Sequence, residues 1–243
     1  DVVIIEDYQE KAQKVRSDIR SSGLTPEDFW RWAGLSKEAL LWSPAAATLL
    51  FILKDWVIPG YLDLFENTIH ELSHALAAIL TGGKILNASI GFAEGFVQTS
   101  GGWLFLTKIA GFGGVPLLGY LLARASFAKY WRPSINLVLL IAIGGIGSWS
   151  SSSSATMFIV LLGLTILFSL SHQATAHWFI GTLGWLLILL SIERFVNLYK
   201  DVHFESDILS LSLLLDVKPS DIIVTLFFVT ALLVTHLCYK IYR

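Results

Sequence analysis

Residues 61–80 read YLDLFENTIHELSHALAAIL, and the rest of the chain is best understood from this stretch. It contains good helix formers and no proline, so the sequence predicts a helix over residues 60–81. His70 and His74 are four residues apart, which places them on one helix face about one turn from each other, where they can share a metal ion. Neutral imidazoles suit tetrahedral zinc, and Glu71 can lie near a metal-bound water without ligating the metal. The stretch therefore predicts part of a zinc hydrolase site.

The same pattern also fits two core histidines that happen to flank a glutamate. The apolar character of the helix argues against this reading, because a buried His-Glu-His segment without a compensating partner is costly. A metal ion is the partner that we expect.

The composition indicates an integral membrane protein. The chain has 243 residues, of which 54% are hydrophobic and only 15% are charged, and its mean hydropathy is +0.65. Soluble domains carry about 25% charged residues. The net charge of -2 and the lack of a basic run give no indication of a nucleic-acid partner. Cys238 is the single cysteine, which excludes an internal disulfide and a cysteine-based zinc cluster.

Two regions are predicted. Residues 1–38 are markedly polar, and a short helix is predicted to start at Thr25-Pro26. Its aromatic residues Phe29, Trp30 and Trp32 are expected either to anchor the helix at the membrane interface or to pack against the protein's own loops. Residues 39–243 form a membrane-embedded domain. The sequence starts at Asp1, and a removed targeting peptide would be compatible with an organelle membrane.

The expected fold is an all-α polytopic membrane protein with about six transmembrane helices. Residues 40–59 have an apolar core of only nine residues, Ala45 to Leu53, which predicts a re-entrant or interfacial helix. Residues 193–219 are expected to form a connection with a short helix at the membrane face. The predicted spans are the motif helix and residues 101–123, 134–150, 155–171, 176–194 and 221–239.

A short β-hairpin is predicted after the motif helix, because residues 84–99 alternate around a glycine-bounded turn. Its exposed edge could receive a substrate as an added strand, or the hairpin could be a simple connection. The next span is rich in glycine, which allows close approach by another helix, and the motif helix is the neighbour that we expect.

Three segments together resemble the site-2 protease family of intramembrane zinc metallopeptidases. The resemblance is to the compact branch of this family, whose members have no PDZ domain. The segments are HELSHALAAILTGG at 70–83, the glycine pair at 101–102 and AGFGGVPLLG at 110–119, and the resemblance extends over about residues 60–230. Members of this branch carry a late Ser-Asp-Ala segment that supplies an acidic metal ligand, and Ser206-Asp207-Ile208 is similar to it. The resemblance thus implies Asp207 as the third ligand. The Asp-Gly signature of better-known members is absent.

Other residues compete for the role of third ligand. Asp201 and His203 lie on the same connection as Asp207. Less suitable candidates are His172 and His177 between two predicted spans and His236 within the last one, while Glu66 is expected to orient a ligand or to face a cavity.

The resemblance implies a zinc-dependent endopeptidase. Zinc held by His70, His74 and Asp207 would keep a fourth position for water, and Glu71 would be the catalytic base. The substrate would be a membrane-spanning or membrane-adjacent helix, locally unwound so that its carbonyls can be attacked. The main alternative is a non-catalytic structural or assembly subunit of a membrane protein complex, and a transporter or channel is a weaker one.

Overall fold

The computed structural model describes residues 37–57, 60–90, 95–126, 136, 138, 159, 162–163, 165–166, 173–200 and 206–242, and the text below concerns these residues only. Six helices and one two-stranded sheet are present among them. The elements are α1 Lys37–Val57, α2 Tyr61–Leu80, β1 Lys84–Ile90, β2 Gly95–Ser100, α3 Leu104–Ser126, α4 Gln173–Lys200, α5 Ser206–Leu215 and α6 Pro219–Tyr242.

The motif helix is confirmed as α2. It ends where the sequence predicts, because Gly82 adopts a φ of 86°, which favours glycine. The backbone N–H of Gly83 donates to the carbonyl of Ala78 at 2.8 Å and that of Gly82 donates to Ile79 at 3.0 Å. These two bonds form a Schellman motif, which satisfies the last carbonyls of the helix and turns the chain directly into β1.

The predicted β-hairpin is also confirmed. Strands β1 and β2 pair antiparallel from Lys84 opposite Ser100 to Ile90 opposite Gly95, with a register shift between Ile85 and Asn87. Both strands contact α2. The hairpin therefore lies against the helix that carries the two histidines.

Three helices are long and apolar enough to cross a membrane, namely residues Leu104–Ser126, Ala176–Lys200 and Pro219–Tyr239. Helix α2 is long and apolar enough to cross a membrane only when it is taken together with α1, and the two helices meet at an angle of 111°. If this bent pair counts as one span, the described residues contain four candidate spans. Three acidic residues in α2 explain why it does not qualify alone. The predicted spans at 134–150 and 155–171, and the predicted polar region 1–38, lie outside the described residues apart from a few positions, so the total of six spans stays a prediction.

Helix α1 agrees with the helix predicted over residues 40–59, whereas one predicted boundary was wrong. Helix α4 continues to Lys200, whereas the sequence placed a connection from residue 193 onward. Glu193 and Arg194 stay helical because partners inside the protein, Lys54 at 2.8 Å and Glu66 at 3.4 Å, compensate their charges. The short helix expected in the connection is present as α5.

Helix α4 is the most buried of the candidate spans and packs along α1 and α3. Its crossing with α3 is close, because a Cβ on Gly119 would lie 2.8 Å from the carbonyl oxygen of Gly184. The same glycine-rich helix α3 packs on α2 through Gly111 and Gly114, which agrees with the predicted neighbour. Helix α3 thus lies between α2 and α4.

Candidate metal centre

Three side chains from two distant parts of the chain meet between α2, α3 and α5. His70 and His74 on α2 and Asp207 on α5 each offer one ligand atom, and these atoms all lie within 4.8 Å of one another. Both histidines are buried, and the Asp207 side chain is 16% exposed. Within the described part of the chain this is the group of metal-ligating residues that the structure brings together.

The distances within this group suit a zinc ion. The Nε2 atoms of His70 and His74 are 3.1 Å apart, and Oδ2 of Asp207 lies 2.8 Å from His74 Nε2 and 3.9 Å from His70 Nε2. Two imidazole nitrogens and a carboxylate oxygen this close together can bind one metal ion, and zinc accepts this set of ligands. The three residues therefore fit the metal that the sequence predicts.

The hydrogen bond of His74 fixes which ring nitrogen faces Asp207. Its Nδ1 lies 2.6 Å from the backbone carbonyl oxygen of Thr107, which can only accept, so Nδ1 carries the hydrogen. Nε2 therefore faces the carboxylate of Asp207 at 2.8 Å, where a neutral imidazole offers a lone pair to a metal ion and a protonated imidazole donates a hydrogen bond to the carboxylate. The same Nδ1 bond orients the ring, as is usual for a metal-ligating histidine.

Helix α3 makes room for the two imidazoles. A Cβ on Gly111 would lie 2.7 Å from His70 Nε2 and even closer to His74 Nε2, which is nearer than a real Cβ approaches. The ring of Phe112 packs edge-on against His70, with ring centroids 4.8 Å apart. His70 Nδ1 is buried and has no hydrogen-bond partner among the described residues.

Asp207 also forms an ion pair with a lysine. The ammonium of Lys108 on α3 lies 2.5 Å from Oδ1 of Asp207. Burial alone would raise the pKa of the Asp207 carboxyl, but the contacts with His70, His74 and Lys108 lower it below its usual value. The carboxylate is thus ionised, which a metal ligand requires.

Glu71 is not one of the three candidate ligands. Its side chain is buried and lies against β2, where a Cβ on Gly95 would be 3.2 Å from its Oε1. It therefore occupies the space between the motif helix and the hairpin. A larger residue at position 95 would push the Glu71 side chain aside, since its Cβ would lie 2.9 Å from Glu71 Cγ.

The other residues considered for the third ligand are not in this group. His177 bonds through Nδ1 to the Ser126 carbonyl, and His236 bonds through Nδ1 to the Tyr120 hydroxyl at 2.8 Å. Asp201, His203 and His172 lie outside the described residues. Glu66 contacts Arg194 on α4, which also donates to Asn67 at 3.1 Å and lies 5.6 Å from the Phe112 ring.

Sequence reasoning missed two parts of the site. Lys108 had a detectable signal, because an isolated lysine within an otherwise apolar span is costly and points to a specific partner. Gly111 belongs to the span that was predicted to pack closely on another helix. Its contact with the two histidines depends on how α2 and α3 are aligned, and this alignment cannot be deduced from the sequence.

The family model described as Peptidase M50B-like matches residues 42–238. The chain belongs to this family of site-2 protease-like intramembrane metallopeptidases. The match includes α2, α3 and α5, and therefore all three residues of the candidate metal group. No curated protein and no solved structure matches the chain.

Proposed function

We propose that the protein is an intramembrane zinc-dependent endopeptidase that hydrolyses peptide bonds of membrane-embedded or membrane-adjacent proteins. The observation that carries this proposal is the meeting of His70, His74 and Asp207, whose ligand atoms all lie within 4.8 Å of one another and form a ligand set that suits zinc. Membership of the M50B-like family supports the same activity.

In this proposal the two histidines and Asp207 hold the metal, and Thr107 and Gly111 keep the imidazoles in position. When bound, zinc lowers the pKa of a bound water to about 7 and polarises the scissile carbonyl. Glu71 accepts the proton of the attacking water and transfers it to the leaving amine. In this proposal the proton transfer takes place on the side of the hairpin, which the approach of β2 to Glu71 supports.

The hairpin offers a place for the substrate. An intact helix hides its carbonyl groups in internal hydrogen bonds, so the substrate must be extended where it is cut. A two-stranded sheet has unpaired edges, and an extended segment could add to one of them. The approach of β2 to Glu71 supports this location for the scissile bond.

The experiment compares the purified wild-type protein with Glu71→Gln. Both are incubated with a detergent-solubilised pool of membrane proteins, and new N-termini are labelled and identified by mass spectrometry. We expect about one zinc per chain in both proteins, since Glu71 is not a ligand in this site, and new N-termini only with the wild type. A zinc-loaded wild type that produces no more termini than Glu71→Gln would refute the proposal and favour a non-catalytic subunit.

A further inference from the structure

Lys108 lies on the same turn of α3 as two other residues that shape the metal group. Thr107 accepts the hydrogen bond of His74, and Gly111 leaves space for both imidazoles. Lys108 lies between them in sequence, and its side chain is 30% exposed and reaches across to Asp207 on α5. One turn of α3 thus contacts the side chains of both histidines and of the acidic residue.

The two oxygens of the Asp207 carboxylate face different partners. Oδ2 lies 2.8 Å from His74 Nε2, while Oδ1 lies 2.5 Å from the ammonium of Lys108. An ammonium group only donates hydrogen bonds and carries a positive charge, so it repels a metal cation from the oxygen that it occupies. Lys108 therefore leaves only one carboxylate oxygen for a metal.

We infer that Lys108 is a positioning residue that makes Asp207 a ligand through one oxygen and so preserves the open position of the metal. The inference rests on the proposed zinc site. Two imidazoles and one carboxylate oxygen give three protein ligands, and the fourth position of a catalytic zinc is kept for water or substrate. If Asp207 bound through both oxygens, this position would be filled by the protein.

A purely structural role is the competing explanation, in which the ion pair only fastens α5 to α3. The two explanations differ in what happens when the ammonium is removed. If Lys108 controls how Asp207 binds, the carboxylate stays on the metal and gains a second contact. If the ion pair only fastens the helix, Asp207 moves away and the metal loses a ligand.

Cobalt(II) reports this difference without any catalytic readout, because the intensity of its visible d–d bands falls as the coordination number rises above four. The variants are Lys108→Met, with Lys218→Met as the matched control on an exposed lysine between α5 and α6, and Asp207→Ala as the reference for a lost ligand. Each purified full-length protein is loaded with cobalt, and its spectrum and cobalt affinity are measured.

We expect wild type and Lys218→Met to show intense four-coordinate bands. Lys108→Met should lose band intensity while its cobalt affinity stays well above that of Asp207→Ala. An unchanged spectrum in Lys108→Met, or a cobalt affinity as weak as that of Asp207→Ala, would overturn the inference. If Lys108→Met does not accumulate, Lys108→Ala removes the same ammonium and makes the same test. Failure of the wild type to bind cobalt would instead overturn the proposed function and the inference with it.

Discussion

Gly111 offers the sharpest test of the metal centre, because a single methyl group added there would enter the space of the two histidines. In Gly111→Ala the new Cβ would lie 2.7 Å from His70 Nε2 and 2.5 Å from His74 Cε1. Comfortable contacts between such atoms are about 3.5 Å, and His74 Nε2 would lie closest to the new Cβ, so the imidazoles would have to shift by about 1 Å.

This shift is large compared with the tolerance of a metal site, whose ligand distances vary by only about 0.2 Å. Helix α3 cannot easily retreat, since its other face is packed closely on α4 through Gly119. Displacing the ligands by this amount should cost zinc affinity by about 100-fold, which corresponds to about 2.8 kcal/mol.

Gly113→Ala is the matched control, because a Cβ on Gly113 meets no heavy atom of the described residues within 4 Å. The same methyl group on the same helix should leave zinc affinity unchanged and stabilise the helix slightly, since alanine is the better helix former. Zinc affinity is measured for both purified variants by competition with a chelator of known affinity. If Gly111→Ala bound zinc as tightly as Gly113→Ala, the proposed place of the metal beside α3 would be wrong.

Two further predictions concern the third ligand and the helix crossing. Asp207→Ala should bind zinc at least 100-fold more weakly than the wild type, since one of three ligands is lost. The zinc content of the variant after dialysis measures this loss. Full zinc retention would show that another residue is the third ligand. Gly184→Ala should lower stability by about 1–3 kcal/mol, because its Cβ would lie 2.6 Å from the Gly119 carbonyl oxygen and 2.9 Å from the Ala123 Cα, which are backbone atoms. A melting temperature equal to that of Gly113→Ala would contradict this packing.

The sequence predicted those features that depend on local patterns. The His-Glu-His spacing, the glycines after α2 and the alternation of the hairpin are each set by a few neighbouring residues, and all three elements are present. Asp207 was reached only through a family resemblance, since 133 residues separate it from His74 and no local rule brings them together.

The features that sequence reasoning missed depend on contacts between helices. The end of α4 was placed too early because Glu193 and Arg194 resemble the polar end of a span, whereas both have partners on other helices. A lone lysine in an apolar span indicated that Lys108 has a partner, but the sequence could not identify that partner, which lies on α5, 99 residues further along the chain.

The ion pairs between helices show how charged residues are accommodated among apolar helices. Lys54 on α1 contacts both Asp63 on α2 and Glu193 on α4, at 3.1 Å and 2.8 Å. One residue after Glu193, Arg194 contacts Glu66 on the motif helix. Two of these three pairs join α2 to a neighbour, to α1 through Asp63 and to α4 through Glu66, while the histidines lie further along α2 beside α3 and α5.

An isolated charge inside a membrane is expensive, so these pairs constrain the position of α2 as well as its charge balance. The motif helix is not apolar enough to qualify as a membrane span by itself, and it does so only together with α1. Its place in the molecule is therefore determined by ion pairs on one side and, in our proposal, by the metal on the other. Removing the metal should loosen α2 and the hairpin together, because both strands pack on this helix and Glu71 lies between them.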